Sequence, residues 1–339
     1  LMLVVRPAGP ADIDALMELA FLSGRGFTSL PEDRGTLGER LALSAASFAG
    51  QVEPRDAWYV LVLENDETGQ IEGVAGVKGG VGTKRPHFSF RVVTLAQYSP
   101  APATRFDHKA LVLVNECSDC SEVGSLFLRP GKRQSGAGGL LARSRYLLIG
   151  ADGARFCDTI MAELRGWFDE ADVSPFWEGI ASKFFRLPFE EADRMITSTD
   201  GQFIRDLAPR HPIYMELVEQ AAREAIGSVH RHGVPALRML EQEGFQQSGL
   251  VDIFDGGPTM MCRRDAIRTI TNARRTTLNI ADDTDGGQDM QDRLIATDSI
   301  EGFRAVRAPV RVVGEAAFVS SATAALLLLD AGAAVQVSA

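Results

Sequence analysis

Two groups of residues in this 339-residue chain have types and spacings that could do chemistry. The first is Arg133-Gln134-Ser135-Gly136-Ala137-Gly138-Gly139, an R-x-x-G-x-G run with one further glycine. It follows the apolar stretch 122–128 and a Pro130-Gly131 turn, and it precedes Leu140, Leu141, Tyr146, Leu147 and Leu148 at the spacing of an amphipathic helix. Glycines ahead of a helix let backbone N–H groups approach a phosphate at the positive end of the helix dipole. A Walker loop would end in Gly-Lys-Ser/Thr, which is missing here. A dinucleotide fingerprint would need a small residue at position 141, where this chain has leucine. Read alone, the run is either a phosphate cradle or a plain glycine-rich turn.

The second group is titratable. An imidazole titrates near neutrality, so the five histidines are the first candidates for proton transfer. His87 and His108 lie in polar stretches and read as solvated, and His211, ahead of a proline, could cap a helix. His230 and His232 sit in G-S-V-H-R-H-G-V-P, and on spacing alone His230 reads as a surface-loop residue. Glu163 and Arg165 alternate about Leu164, which puts both on one face of a strand; Asp252 and Asp255 flank Phe254 in a turn-rich segment. Any of these charges could serve a charged substrate or a structural ion pair. Cys117 and Cys120 have metal-ligand spacing but no second Cys or His pair to complete a site, so no metal is expected and the thiols read as reduced.

The elements that must position these groups alternate along the chain. Residues 2–6 read as a β-branched strand rather than a signal peptide, and Pro10 and Asp12 open a helix with Ile13, Leu16, Met17 and Leu19 on its apolar face. A second helix is expected over about 37–48, then strands over 58–64 and 71–79 joined by N-D-E-T-G. Residues 88–95 and 109–115 should extend that meander, with 96–106 as a proline-containing excursion. Strand 122–128, helix 137–148 and strand 159–165 would then form a crossover with the two strands parallel. Residues 175–185 and 236–245 both resemble a closing helix, and closeness to the preceding strand favours the first. The segment 271–292 is polar, acidic and aperiodic, and reads as a linker; short β-branched runs beyond it suggest a small barrel. The expected parts are therefore 1–207, 208–270 with His230 and a closing strand, the linker 271–292, and a β-rich 293–339. A net charge of −10 argues against nucleic-acid or anionic-membrane partners, and Asp330 and Gly332 interrupt the longest apolar run before it could span a bilayer, so a cytoplasmic protein is expected.

R-x-x-G-x-G between a strand and a helix resembles the pyrophosphate loop of the GNAT acyltransferases, which bind coenzyme A. G-F-T-S-L-P (26–31), M-A-E-L-R-G (161–166), S-P-F-W (174–177), R-H-P-I-Y (210–214), P-A-L-R-M-L-E-Q-E-G-F (235–245) and D-I-F-D-G-G-P-T (252–259) narrow the likeness. As a set, covering most of 2–262, they resemble the arginine N-succinyltransferases. The resemblance implies an α+β fold with a GNAT-like, mostly antiparallel mixed sheet flanked by helices, a helical extension and a small β-rich C-terminal domain. It implies transfer of the succinyl group of succinyl-CoA to the α-amine of L-arginine in arginine catabolism, with succinyl-CoA a co-substrate and no permanently bound cofactor. Arg133 through Gly139 would hold coenzyme A, and Leu126 would contact succinyl-CoA through its backbone on a bulged strand. His230 matches the family's catalytic proton donor. Phe27, Thr28 and Ser29, in the loop over the acceptor site, and Glu163 and Arg165 are candidate substrate contacts. A homo-oligomer, or pairing with a paralogous subunit, is expected. Two other readings stay open: transfer to another amine such as ornithine, and a non-catalytic acyl-CoA-binding subunit.

Overall fold

A computed structural model describes residues 2–24, 30–131, 136–198, 201–281 and 290–339. By compactness the chain forms two units, one from 1–80, 120–160 and 263–339, the other from 81–119 and 161–262. These divisions differ from the boundaries drawn on composition, because the chain leaves the first unit and returns to it twice.

In the first unit the strands run in the order Gln291–Thr297, Ala334–Ser338, Arg274–Ile280, Ala316–Val319, Ala305–Val313, Leu3–Pro7, Trp58–Asn65, Ile71–Lys78 and Cys120–Leu128. The first and fifth of these also pair, closing five C-terminal strands into a ring. The long strand Ala305–Val313 joins the ring to the rest: Ala305 and Val306 pair with Val5 and Val4, whereas Arg311 to Val313 pair with the strand Ala316–Val319. Residues 274–280 and 291–292, expected in a linker, thus lie in strands. The mistake has a physical cause: Arg274–Ile280 alternates exposed polar residues with the buried Thr276 and Leu278, and a half-polar ring strand resembles a solvated segment in composition. The helix Ile13–Ser23 and the helix Arg34–Phe48 cover one face, with Leu16, Leu19, Leu37 and Leu41 packed on Val60, Val62 and Val74. Asp33 caps the second helix by accepting the Thr36 N–H at 2.7 Å.

In the second unit the hairpin Ser89–Ser99 and Thr104–Val114 pairs without interruption from Ser89–Val114 to Ser99–Thr104. The expected excursion over 96–106 is the outer half of this hairpin; its exposed positions leave no apolar pattern to mark a strand. Gln246–Val251 lies between Ser89–Ser99 and Pro258–Arg263. The helix that leads into Gln246–Val251 is Val234–Glu243, so of the two helix-like segments the second closes the sheet. Gly244, at φ +101°, makes the turn that a residue with a Cβ would resist. Residues 177–185 instead form a short helical segment in an aromatic core, where the rings of Trp177, Phe185 and Phe254 all meet one another. Among the described residues, no helix is long and apolar enough to cross a membrane.

Candidate active site

In the first unit, the strand Cys120–Leu128 changes register against Ile71–Lys78 from Gly76–Gly124 to Val74–Phe127. Two residues, Ser125 and Leu126, therefore oppose the single Ala75, which is a β-bulge. Ser125 holds φ at +51°, a left-handed conformation that serine seldom adopts and that a fold keeps at a cost of order 1–3 kcal/mol. A bulge re-aims the backbone, and Leu126 within it is half-buried.

The helix after the glycine run, Ala137–Ala151, starts at Gly136, whose φ is +74°. Its first-turn amides, those of Gly138 and Gly139 included, have no acceptor inside the helix. A Cβ on Gly138 would lie 3.3 Å from the Leu128 Cδ1 atom, whereas one on Gly139 would meet nothing within 4 Å. Gly138 thus serves the close seating of the helix on the strand end. Arg133, Gln134 and Ser135 lie outside the described residues, as do Phe27, Thr28 and Ser29.

In the second unit, His230 is held through its backbone. Its backbone N–H donates to the Arg165 carbonyl at 2.9 Å, and Val229 bridges to Gly166, so residues 229–230 lie along the end of the strand Thr159–Glu163. The ring is 3% exposed and meets Phe168 edge-on at 5.9 Å. Its Nδ1 accepts the His232 N–H at 3.2 Å, so the neutral ring carries its proton on Nε2. Burial, aided by the positive charges of Arg165, His232 and Arg231, lowers its pKa to about 4, with Asp172 opposing. At neutral pH His230 is an uncharged hydrogen-bond donor. His232 is exposed.

Tight backbone packing holds the strand end in place. Asp255 accepts the N–H groups of Gly166 and Gly257, each at 2.8 Å. A Cβ on Gly257 would come within 2.0 Å of the Leu164 carbonyl oxygen, and one on Gly166 within 2.1 Å of the Asp255 carbonyl oxygen. Only glycine fits at either place. Asp252 accepts the Phe254 and Asp255 N–H groups, and burial together with the carboxylates of Asp255 and Glu163 pushes its pKa well up. Both aspartates thus shape this turn.

Glu163 and Arg165, expected side by side, go to different partners. Glu163 Oε1 lies 2.9 Å from His87 Nε2, and the Arg165 guanidinium lies over Phe168 at 4.2 Å and 3.7 Å from Asp172. His87 is the residue the sequence reading missed. It stands 76 positions from Glu163, and nothing in its polar neighbourhood signals the contact. His108, also read as solvated, lies 3.1 Å from Glu216.

The family model for the arginine N-succinyltransferase beta subunit matches residues 3–269, and that for its C-terminal domain matches 274–339. An arginine N-succinyltransferase of Escherichia coli O139:H28 is 36% identical over 331 residues, 98% of this chain and 96% of that protein. One from Shigella flexneri gives the same figures of 36%, 98% and 96%. The solved structure of arginine/ornithine succinyltransferase subunit AI from Pseudomonas aeruginosa aligns with a TM-score of 0.88 at 31% identity, covering 100% of this chain and 98% of that one.

Proposed function

The chain belongs to the arginine N-succinyltransferase family, and from that premise we propose the roles its residues take. It is an acyltransferase that moves a succinyl group to the α-amine of L-arginine, giving N2-succinylarginine, in arginine catabolism. The donor is succinyl-CoA, and the fold that goes with this reading is GNAT-like, a bulged strand followed by a glycine-led helix. The pyrophosphate is held by the amides of residues 134–139, with Arg133 adding charge. The backbone N–H of Leu126 stabilises the oxyanion.

The observation that carries the mechanism is the Nδ1 contact of His230. With that nitrogen occupied by a backbone N–H, the ring offers Nε2–H, which suits it to the departing thiolate and not to the attacking ammonium. A thiolate forming beside the ring would raise its pKa and strengthen the bond. The ammonium needs a separate base. Glu163, oriented by His87, takes that proton as the amine attacks, and the thiolate leaves hydrogen-bonded to His230. Arg165 meets a carboxylate of the acceptor, and Phe27, Thr28 and Ser29 complete its contacts.

The test is thiol release from succinyl-CoA and from acetyl-CoA, with arginine, ornithine and lysine as acceptors. Succinyl-CoA with arginine should be the best pair; a best rate with acetyl-CoA and an amine that is no amino acid would sink the reading. Ornithine is a second acceptor to expect, since the P. aeruginosa relative is named for both amino acids. The word subunit in that name also supports assembly with copies of itself or with a paralogue, which light scattering on the purified protein would decide.

A further inference from the structure

The hairpin Ser89–Ser99 and Thr104–Val114 reaches past the strands on either side of it. Towards Gln246–Val251 its pairing ends at Phe90–Val251 and Arg91–Leu250, and towards Ile213–Tyr214 it ends at Ala110–Tyr214 and Leu111–Ile213. From the pair Thr94–Lys109 out to Ser99–Thr104 the ribbon is two strands wide, and among the described residues no third strand pairs with it. Two strands alone are marginal in water, so a ribbon of this length calls for a neighbour.

Its two outer edges are protected unequally. On the Thr104–Val114 edge stand the charged Arg105, Asp107 and Lys109, and the Glu216 carboxylate accepts the Lys109 backbone N–H while lying 3.1 Å from His108. Charges and a covering segment are what keep an edge strand from pairing with another chain. The Ser89–Ser99 edge has neither. Val92-Val93-Thr94-Leu95-Ala96-Gln97-Tyr98-Ser99 holds no charge, proline or glycine, its register is unbroken, and Thr94 and residues 96–99 are exposed. Because the Lys109 N–H points out of the ladder, alternation along the strands points those of Thr94, Ala96 and Tyr98 out of the opposite edge.

We propose that this edge, residues 93–99, is where two copies of the chain associate, each adding its strand to the other's ribbon in antiparallel register so that two ribbons become one four-stranded sheet. The proposal rests on the assembly reading above and names the surface. Charge favours the copy as occupant. Chains of net charge −10 repel one another, but an uncharged strand meeting itself sets no like charges opposite. A two-fold axis makes the pairing antiparallel and offers each outward N–H the carbonyl of an equivalent residue. With Ala96 at the axis, Tyr98 of one copy stands opposite Thr94 of the other, an aromatic against a β-branched residue. Pro100 on one side and the Arg91–Leu250 pair on the other confine the new ladder to the residues between.

The experiment is sedimentation equilibrium on the purified chain, in the wild type, in Ala96→Pro and in the double variant Thr94→Lys with Ala96→Lys, joined to amide hydrogen exchange of the wild type at high and low concentration. The wild type should have twice the mass of one chain. Ala96→Pro deletes an outward N–H but none of the bonds to residues 104–114, and the double variant gathers four lysines on one face of the joint; both should have the mass of one chain, with a far-ultraviolet dichroism spectrum like that of the wild type. The amides of Thr94, Ala96 and Tyr98 should exchange at least about 10-fold more slowly in the dimer than after dilution to the monomer, whereas those of Leu95 and Gln97, bonded within the ribbon, should change little. A wild-type dimer that all three substitutions leave intact, or whose 94, 96 and 98 amides exchange alike at both concentrations, would keep the assembly reading and overturn the edge. If the variants fail to fold, the exchange result decides. A monomeric wild type would overturn the proposal and leave a paralogous chain as the partner that the assembly reading still allows.

Discussion

His230 shows how one side chain is tuned by what surrounds it. Its imidazole is buried, has Nδ1 occupied and has cations nearby, all of which disfavour the charged form. Replacing it with alanine should lower kcat by about 10²-fold or more, the usual share of a positioned acid or base, with coenzyme A binding by calorimetry nearly unchanged. His232→Ala should be mild by comparison, since its backbone N–H, which makes the contact, is retained. Turnover in His230→Ala that stays near wild type from pH 6 to 9 would move the role elsewhere. The same pKa predicts a stability effect. In the unfolded chain the ring titrates near 6.5 and in the fold near 4, so between those values the unfolded state holds the extra proton. Stability should therefore rise with pH from 4 to 6.5, with the penalty complete below the window and absent above it. Thermal midpoints across that range should show a flatter slope in His230→Ala than in the wild type; an unchanged slope would contradict the buried neutral ring.

At the scale of elements, the site depends on where strands and helices end. Gly138 seats the helix Ala137–Ala151 against Leu128, the last residue of the bulged strand. Valine at this position would push the helix start off the strand and move the first-turn amides. Gly138→Val should raise the KM for succinyl-CoA well beyond that for arginine, together with a loss of about 1–3 kcal/mol from overpacking. Equal changes in both KM values would argue against phosphate binding at that turn. The end of the strand Thr159–Glu163 depends in the same way on Gly166 and Gly257, which allow Asp255 to bond the backbone on both sides.

For the whole molecule, the C-terminal segment matters because of where its strands pair. Val306 pairs with both Val4 and Ile295, Gln336 donates to the Leu147 carbonyl at 3.1 Å, and Arg143 reaches Thr269 and Ser338. The strand Leu3–Pro7 thus has its outer edge covered by residues some 300 positions later in the chain. A chain ending at Ala273 should expose that edge and the helix face beneath Gln336, and should aggregate or melt well below the full chain. Circular dichroism melts of both would decide. An unchanged midpoint would show the C-terminal strands to be an independent appendage.

What the sequence determined by itself is local. The strand of residues 122–128, the helix that begins at residue 137 and the helix expected over about 37–48 each follow from backbone preferences within a few residues, so the spacing of residue types suffices to place them. His230 could be singled out only through the likeness of a set of blocks, because its burial comes from Phe168 and the 165–166 strand end. The His87–Glu163 pair, the stacking of Arg40 on Trp58 and the polar strand Arg274–Ile280 were left to the tertiary structure. In each case the deciding partner is distant in sequence, and a local pattern records which residues are present but not which of them meet.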